Sequence, residues 1–152
     1  MTALAPPTVT EHPDLYQRVQ ASFERQGMML QLGARLLVVG PGVCVLELPY
    51  SDKVTQQQGG FHGGAMGALA DIAGGYAALT VAPPGMEVTT VEYKINFLAA
   101  LRGGRLQATG QVVRAGKRVI VSSATVVHLD EHGNSTDCAM MQQTLMPVAK
   151  TY

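Results

Sequence analysis

Several residue types that would narrow the class of this protein are scarce in its 152 residues. Trp is absent and aromatic residues make up 5% of the chain, whereas Met occurs 8 times, which suits an adaptable apolar interior. Charged residues amount to 14% and the formal net charge is zero, so nothing electrostatic favours nucleic-acid binding. A chain of this length predicts one domain with a sizeable core.

Cysteine is also scarce, with Cys44 and Cys138 far apart in strand-like segments. This spacing suits neither a zinc site nor a disulfide framework, and it predicts two buried free thiols. The histidines are equally scattered, in an N-terminal lead, a helix entry, a strand end and a turn (His12, His62, His128 and His132). We therefore predict no metal site and no cofactor.

Signals for secretion or membrane insertion are lacking as well. The first residues, MTALAPPTVTEH, contain no basic segment followed by an apolar run. The one long apolar stretch, residues 65–82, includes an acid and several glycines, which argues against a membrane span. We expect a cytoplasmic protein in which residues 1–12 form a flexible lead and residues 13–152 form a single domain.

What the chain does contain is a glycine- and alanine-rich segment from Gln56 to Ala82, around which the other elements are organised. On a helix, residues 63–82 divide into two faces. Small residues flank Asp71 on one face (Gly64, Gly67, Ala68, Gly74, Gly75, Ala78 and Ala82), and the opposite face is apolar (Met66, Leu69, Ile72, Tyr76 and Leu79). Because each glycine costs a helix roughly 1 kcal/mol relative to alanine, the small face indicates close approach by a second helix, a ligand or both.

The carboxylate of Asp71 is unusual on so bare a face, because removing a charge from water is unfavourable. An ordinary explanation is an ion pair with a basic residue or a cap on a neighbouring turn. The other explanation is a general base or nucleophile made more reactive by an apolar setting. We favour the second because of the residues that lie upstream.

His62-Gly63-Gly64 falls at the predicted helix start, where the first backbone N–H groups have no partner inside the helix. Such donors, at the positive end of the helix dipole, can bind a carbonyl oxygen, although the motif also suits a plain glycine-rich helix start. Gly63 and Asp71 are eight residues apart, about 12 Å along the axis, so one carbonyl cannot touch both in one chain. Two copies packed antiparallel about a two-fold axis would bring Gly63 of one subunit near Asp71 of the other.

The spacing of these residues resembles that of the hotdog-fold acyl-CoA thioesterases of the phenylacetate-pathway (PaaI) type. The family pattern is an amide residue, a Gly three residues before a His-Gly-Gly, and an Asp nine residues after that His. The matching residues here are Gln56, Gly59, His62-Gly63-Gly64 and Asp71, with Gln replacing the usual Asn. The resemblance covers roughly Leu32 to Met146 and includes the Thr90–Phe97 strand and the Gly116-Lys117-Arg118 turn.

This resemblance implies hydrolysis of acyl-CoA thioesters to free acid and CoA by a homodimer that often pairs into a tetramer. It implies that Asp71 acts as base or nucleophile, that Gln56 and Thr90 position the reactants, and that His62 orients the loop or the thioester. A non-catalytic protein that binds acyl groups or CoA is the alternative. A hotdog hydratase is another, but it would need a histidine paired with the acid, and no such second motif is present.

The CoA portion of the substrate carries phosphates, which must be met by cations or free N–H groups. The resemblance implies that Gly64 contributes to substrate binding and that the turn after Arg114 contacts the nucleotide end of CoA. Within this turn we favour Lys117 and Arg118 over Arg114, although basic residues at hairpin turns are often simply solvated.

Periodicity predicts a helix over Pro13–Arg25, followed by strands separated by short turns. The predicted strands are Leu30–Val39, Val43–Tyr50, Glu87–Leu98, Arg105–Arg114, Arg118–Leu129 and Ser135–Met146. Consecutive hairpins predict that the last four form an antiparallel meander. Along the first of them, apolar residues (Val91, Tyr93, Ile95 and Phe97) alternate with polar ones. A long helix on an antiparallel sheet is an α+β architecture, and the resemblance sharpens it to a hotdog fold.

Overall fold

The computed structural model describes residues 12–152. The helices are α1 (Pro13–Phe23), α2 (Gly27–Leu32) and α3 (Gly63–Leu79), with a short 3₁₀ turn at Asp52–Val54. The strands are β1 (Arg35–Gly40), β2 (Val43–Pro49), β3 (Met86–Phe97), β4 (Arg105–Ala115), β5 (Ile120–Leu129) and β6 (Ser135–Ala149). Of the predicted flexible lead, residues 1–11 lie outside the described residues, and His12 precedes α1 and accepts the Tyr16 N–H through its carbonyl at 3.0 Å.

The strands form one antiparallel sheet in the order β1-β2-β4-β5-β6-β3. Helix α3 lies across one face of this sheet and packs against strands β2 to β6. Its buried apolar side chains, such as Leu69 and Leu79, join the inward residues of the strands in the main core. The predicted α+β architecture, a sheet around a long central helix, is therefore confirmed.

The predicted meander is correct for β4, β5 and β6 and wrong for β3. Strand β3 pairs with β6, because β4 is already paired with β2 on one side and β5 on the other. A loop over residues 98–104 carries the chain from the end of β3 to β4 in place of a hairpin. As the last strand in the sheet order, β3 leaves its outer edge without a partner strand among residues 12–152.

The predicted first strand, Leu30–Val39, begins too early, because its first residues belong to helix α2. Gly33 ends this helix with a φ of 81°, a left-handed conformation that glycine adopts without strain. The buried Met29 anchors this short helix on the core. Short apolar runs of this kind fit a helix or a strand equally well by periodicity alone.

The small-residue face of α3 is explained in part by the sheet of the same chain. Gly74 packs against Gln143 and Ser122, and Ala78 and Ala82 join a small apolar cluster on β5 and β6. The expectation that a second helix or a ligand covers the whole face is therefore wrong for this half. A narrower stripe of α3 stays accessible, and it consists of Gly63, Gly64, Ala68, Asp71, Ile72 and Gly75. Ile72, predicted on the opposite apolar face, is thus only partly buried.

The two cysteines are free and buried, as predicted. Burial raises the pKa of the Cys138 thiol to about 11, with the charge of Asp137 adding to the shift. Burial likewise raises the pKa of the Cys44 thiol far above its ordinary range. Both groups are therefore protonated, packed side chains at neutral pH.

A close approach of the α3 backbone to strand β4 occurs at Gly110, and it generates a first prediction. A β-carbon at Gly110 would lie 2.2 Å from the carbonyl oxygen of Ala73, so Gly110→Ala must push α3 away from β4. We expect the free energy of unfolding to fall by about 1–3 kcal/mol in chemical denaturation.

Gly27→Ala is the matched control, because a β-carbon at Gly27 meets no atom within 4 Å. This change should leave stability unchanged or raise it by up to about 1 kcal/mol. Equal destabilisation by the two substitutions would contradict the close approach.

Candidate active site

The carboxylate of Asp71 is held by two neutral donors. Its Oδ1 accepts hydrogen bonds from Thr90 Oγ1 at 2.7 Å and from Gln143 Nε2 at 2.8 Å. No hydrogen bond within residues 12–152 involves Oδ2, and the ion pairs in that range join only Glu47 to Arg35 and Arg105. The ordinary explanation, an ion pair of Asp71 with a basic residue, therefore does not apply. Oδ1 of Asp71 is therefore fixed by hydrogen bonds, whereas Oδ2 is available to bind a reactant.

A β-bulge in β3 brings Thr90 to this carboxylate. Thr90 pairs with Leu145 and Glu92 pairs with Thr144, which leaves Val91 as the extra residue. Because the bulge shifts the alternation by one residue, Thr90 before it and Tyr93 and Phe97 after it all face α3. The predicted uninterrupted alternation of the strand is therefore wrong, since without the bulge Thr90 would face away from Phe97.

His62 is the N-cap residue of α3, and its side chain binds the N–H of Gly64 but not that of Gly63. Its Nδ1 accepts the N–H of Gly64 at 2.7 Å. The N–H of Gly63, the first helical residue, makes no hydrogen bond within residues 12–152. Gly63 therefore offers the open donor at the positive end of the helix dipole.

Gln56 lies in the loop that enters α3. The Gly59 N–H donates to the Gln56 carbonyl at 2.9 Å, and the turn requires a φ of 82° at Gly59, where other residues are strained. The Gln56 side-chain carbonyl accepts the N–H of Gln58, and its amide nitrogen lies near Gly60. Gln56 and Gly63 line the same open cavity of about 370 Å³, beside Phe97.

Asp71 and Thr90 line a different cavity, of about 110 Å³. Its far wall comes from α1 and the residues after it, with Ser22 and Gln26 beside the hydroxyl of Tyr76. That hydroxyl accepts from Gln26 Nε2 at 2.8 Å and donates to Ser22 Oγ at 3.2 Å. Burial raises the pKa of Tyr76 to about 12, so this hydroxyl is protonated at physiological pH. Glu87 also lines the cavity. The two halves of the predicted site thus open onto separate cavities of one chain.

None of the predicted CoA-binding cations lines either of these cavities. Arg114 belongs to the end of β4, whereas Lys117 and Arg118 lie in the turn before β5. All three are exposed, and none forms an ion pair within residues 12–152.

Gln143 is the site residue that sequence reasoning missed. It is fully buried on β6 between Met141 and Leu145, both of which also face inward. An amide at an inward position of an otherwise apolar alternation is the signal that could have identified it.

Two other predictions concern absences. The part of the chain that the structure describes contains no group of three or more His, Cys, Asp or Glu side chains able to hold a metal ion. None of the helices from residue 12 onward is long and apolar enough to cross a membrane.

Comparison with known proteins extends these findings. The sequence profile of the Thioesterase superfamily matches residues 58–133, which include Gly63, Asp71 and Thr90. A crystal structure of a thioesterase family protein from Silicibacter pomeroyi is 37% identical, with a TM-score of 0.86 over 90% of this chain and 99% of that one. The Escherichia coli PaaI protein, 23% identical over 90% of this chain and 95% of its own, shares the fold with a TM-score of 0.79.

Curated relatives agree with these matches. A Saccharolobus solfataricus protein named "Putative esterase" is 35% identical over 71% of this chain and 77% of its own length. The 1,4-dihydroxy-2-naphthoyl-CoA hydrolase of Listeria monocytogenes is 31% identical over 60% of this chain and 74% of its own length. The predicted resemblance is confirmed: this chain has a hotdog fold and belongs to the thioesterase superfamily.

Proposed function

We propose that this protein hydrolyses acyl-CoA thioesters to a free acid and CoA in sites that each combine two subunits. The observation that carries the proposal is the split geometry of α3. The open N–H of Gly63 and the anchored carboxylate of Asp71 lie on one helix but line different cavities. The superfamily supports thioester hydrolysis, and the Listeria monocytogenes relative is named as a hydrolase of a CoA thioester.

The unpartnered edge of β3 supports the pairing of two copies. This edge strand exposes Val91, Tyr93 and Phe97, whose accessible fractions are 54%, 46% and 52%. A long apolar edge invites association with another strand unless it is covered. The accessible stripe of α3 lies beside β3, so a two-fold axis here would bring Asp71 of one subunit towards Gly63 of the other. The expected dimer of dimers remains a prediction from the resemblance, and the cytoplasmic location remains a prediction from the sequence.

In this dimer the thioester carbonyl accepts a hydrogen bond from the Gly63 N–H, which stabilises the oxyanion that forms on attack. As a general base, Asp71 of the other subunit takes a proton from water through Oδ2, and the hydroxide adds to the carbonyl carbon. Collapse breaks the C–S bond, and the departing CoA thiolate takes up the proton held by Asp71. As a nucleophile, Asp71 instead adds to the carbonyl carbon, and the C–S bond breaks to release CoA thiolate and leave a mixed anhydride. Water then hydrolyses the anhydride to the free acid and the Asp71 carboxylate, and the proton released goes to the thiolate. Both routes give the same products.

The other predicted residues have supporting roles in this proposal. Thr90 holds the carboxylate on Oδ1, and Gln56 lies in the cavity with Gly63, within reach of the thioester. The side chain of His62 accepts the Gly64 N–H, so the N–H of Gly63 is the one left to bind the thioester carbonyl. A hydratase is disfavoured, because His62 and the buried His128 bond only to backbone groups and not to Asp71.

The first test of this proposal is Asp71→Asn, which keeps the shape of the side chain and removes the base. We expect kcat for free-thiol release from acyl-CoA thioesters to fall at least about 100-fold. Asp137→Asn, at an exposed position on β6, is the matched control and should leave kcat unchanged. Equal hydrolysis by the wild type and the Asp71→Asn variant at the background rate, on a panel of short, medium, long and aryl thioesters, would end the enzymatic assignment.

A second test addresses the shared site. Gly63→Pro removes the free N–H without straining the backbone, because proline is favoured at the first helical position and His62 already has the φ of −69° and ψ of 134° that precede proline. Gly63→Ala controls for the new contact with Phe97, whose ring lies 3.3 Å from such a β-carbon.

The Gly63→Pro and Asp71→Asn variants should each be inactive as homodimers. Refolded together, they should regain about a quarter of wild-type activity, because half of the dimers then hold one intact site. No recovery in verified mixed dimers would show that both groups act from the same subunit.

A third test concerns the cations after β4. Replacing Lys117 and Arg118 together with Ser should raise KM for an acyl-CoA about 10-fold, since charge-assisted contacts to phosphate are lost. The KM for the corresponding N-acetylcysteamine thioester, which has no phosphates, should not change. An equal rise for both substrates would remove these residues from CoA binding.

A further inference from the structure

The amide of Gln143 lies in the core, at a position on β6 where an apolar side chain would be expected. It is fully buried on the inward face of β6, flanked by Met141 and Leu145. Burying an amide is unfavourable unless its groups find partners, and ordering a long side chain costs entropy in addition. The contacts of this amide therefore indicate what it does.

The nitrogen of the amide bonds to the acid of the proposed site. Gln143 Nε2 lies 2.8 Å from Asp71 Oδ1, 3.3 Å from the Asp71 backbone carbonyl and 3.4 Å from Thr90 Oγ1. The amide thus contacts both the carboxylate and the hydroxyl that holds it. With Thr90, it fixes the carboxylate so that Oδ2 is the oxygen left for reaction.

The oxygen of the same amide has no hydrogen-bond partner within residues 12–152. It lies 1.9 Å from the position that a β-carbon on Gly74 would occupy, so it rests against the backbone of α3 in a slot that only glycine provides. Ser122 closes the slot, since its hydroxyl donates to the Gly74 carbonyl at 3.2 Å. A glycine in the middle of the helix and an unpaired oxygen both lower stability, so stability alone does not account for this arrangement.

We propose that Gln143 is a positioning residue for Asp71, and that Gly74 supplies the space in which its amide reaches the carboxylate. The inference rests on the proposed role of Asp71 and adds a residue pair to it. Neither residue touches the substrate. Both act through the orientation of the acid, so their effect falls on the chemical step and not on substrate binding.

The direct test is Gln143→Met, which keeps the length and volume of the side chain and removes the donor. We expect kcat for thioester hydrolysis to fall about 10- to 100-fold with KM nearly unchanged, since a misplaced reacting group costs about that much. The midpoint of thermal unfolding should equal or exceed that of the wild type, because the unpaired oxygen is gone. Gln142→Met, the adjacent exposed position on the other face of β6, is the matched control and should keep wild-type kinetics.

A double-mutant cycle tests the slot independently. Gly74→Ala removes no polar group, yet its β-carbon displaces the amide of Gln143, so kcat should fall by a similar factor. In a Gln143→Ala background there is no amide to displace, and Gly74→Ala should cause no further loss. An equal loss in both backgrounds would overturn the role of Gly74.

The outcomes separate this inference from the proposed function. Wild-type kcat for Gln143→Met, while Asp71→Asn is inactive, overturns the positioning role and leaves the proposed function intact. A rise in KM at constant kcat also overturns it. Full activity of Asp71→Asn would remove the role of Asp71, and only background hydrolysis by the wild type would remove the proposed function itself.

Discussion

The structure depends on one constraint, which is that a single rigid helix carries both the amide donor and the acid of the site. Gly63 begins α3 and Asp71 follows two turns later, about 12 Å along the axis. A straight helix cannot bring these groups to one carbonyl, and the two cavities they line are distinct. The proposed reaction therefore needs a second copy, and we propose that this copy packs at the edge of β3 beside the helix, which has no partner strand among residues 12–152.

Glycines at the contacts between α3 and the sheet determine how closely the helix packs. Gly110 lets the backbone of α3 approach β4, and Gly74 admits the amide of Gln143. Helix glycines that look unfavourable in isolation are explained by these contacts. The carboxylate of Asp71 is held through one oxygen by two neutral donors, which leaves its other oxygen available for chemistry.

The sequence predicted the parts of the site that depend on local spacing. The helix, its start at Gly63 and the single acid at Asp71 follow from periodicity, and the position of Thr90 follows from the family resemblance. Contacts set by strand pairing could not be predicted in the same way. The β3–β6 pairing, the bulge at Val91 and the contact of Gln143 with Asp71 each depend on which strands are neighbours, and short-range patterns do not encode this.

A crystal structure with a bound substrate analogue would test the central claim most directly. In a suitable analogue, a methylene separates the carbonyl from the CoA sulfur, so that the carbonyl is kept and hydrolysis is blocked. We expect its carbonyl oxygen about 3 Å from the Gly63 nitrogen of one subunit, with the Asp71 carboxylate of the other subunit beside the carbonyl carbon. A carbonyl contacted by Gly63 and Asp71 of the same chain, or bound far from Asp71, would contradict the account.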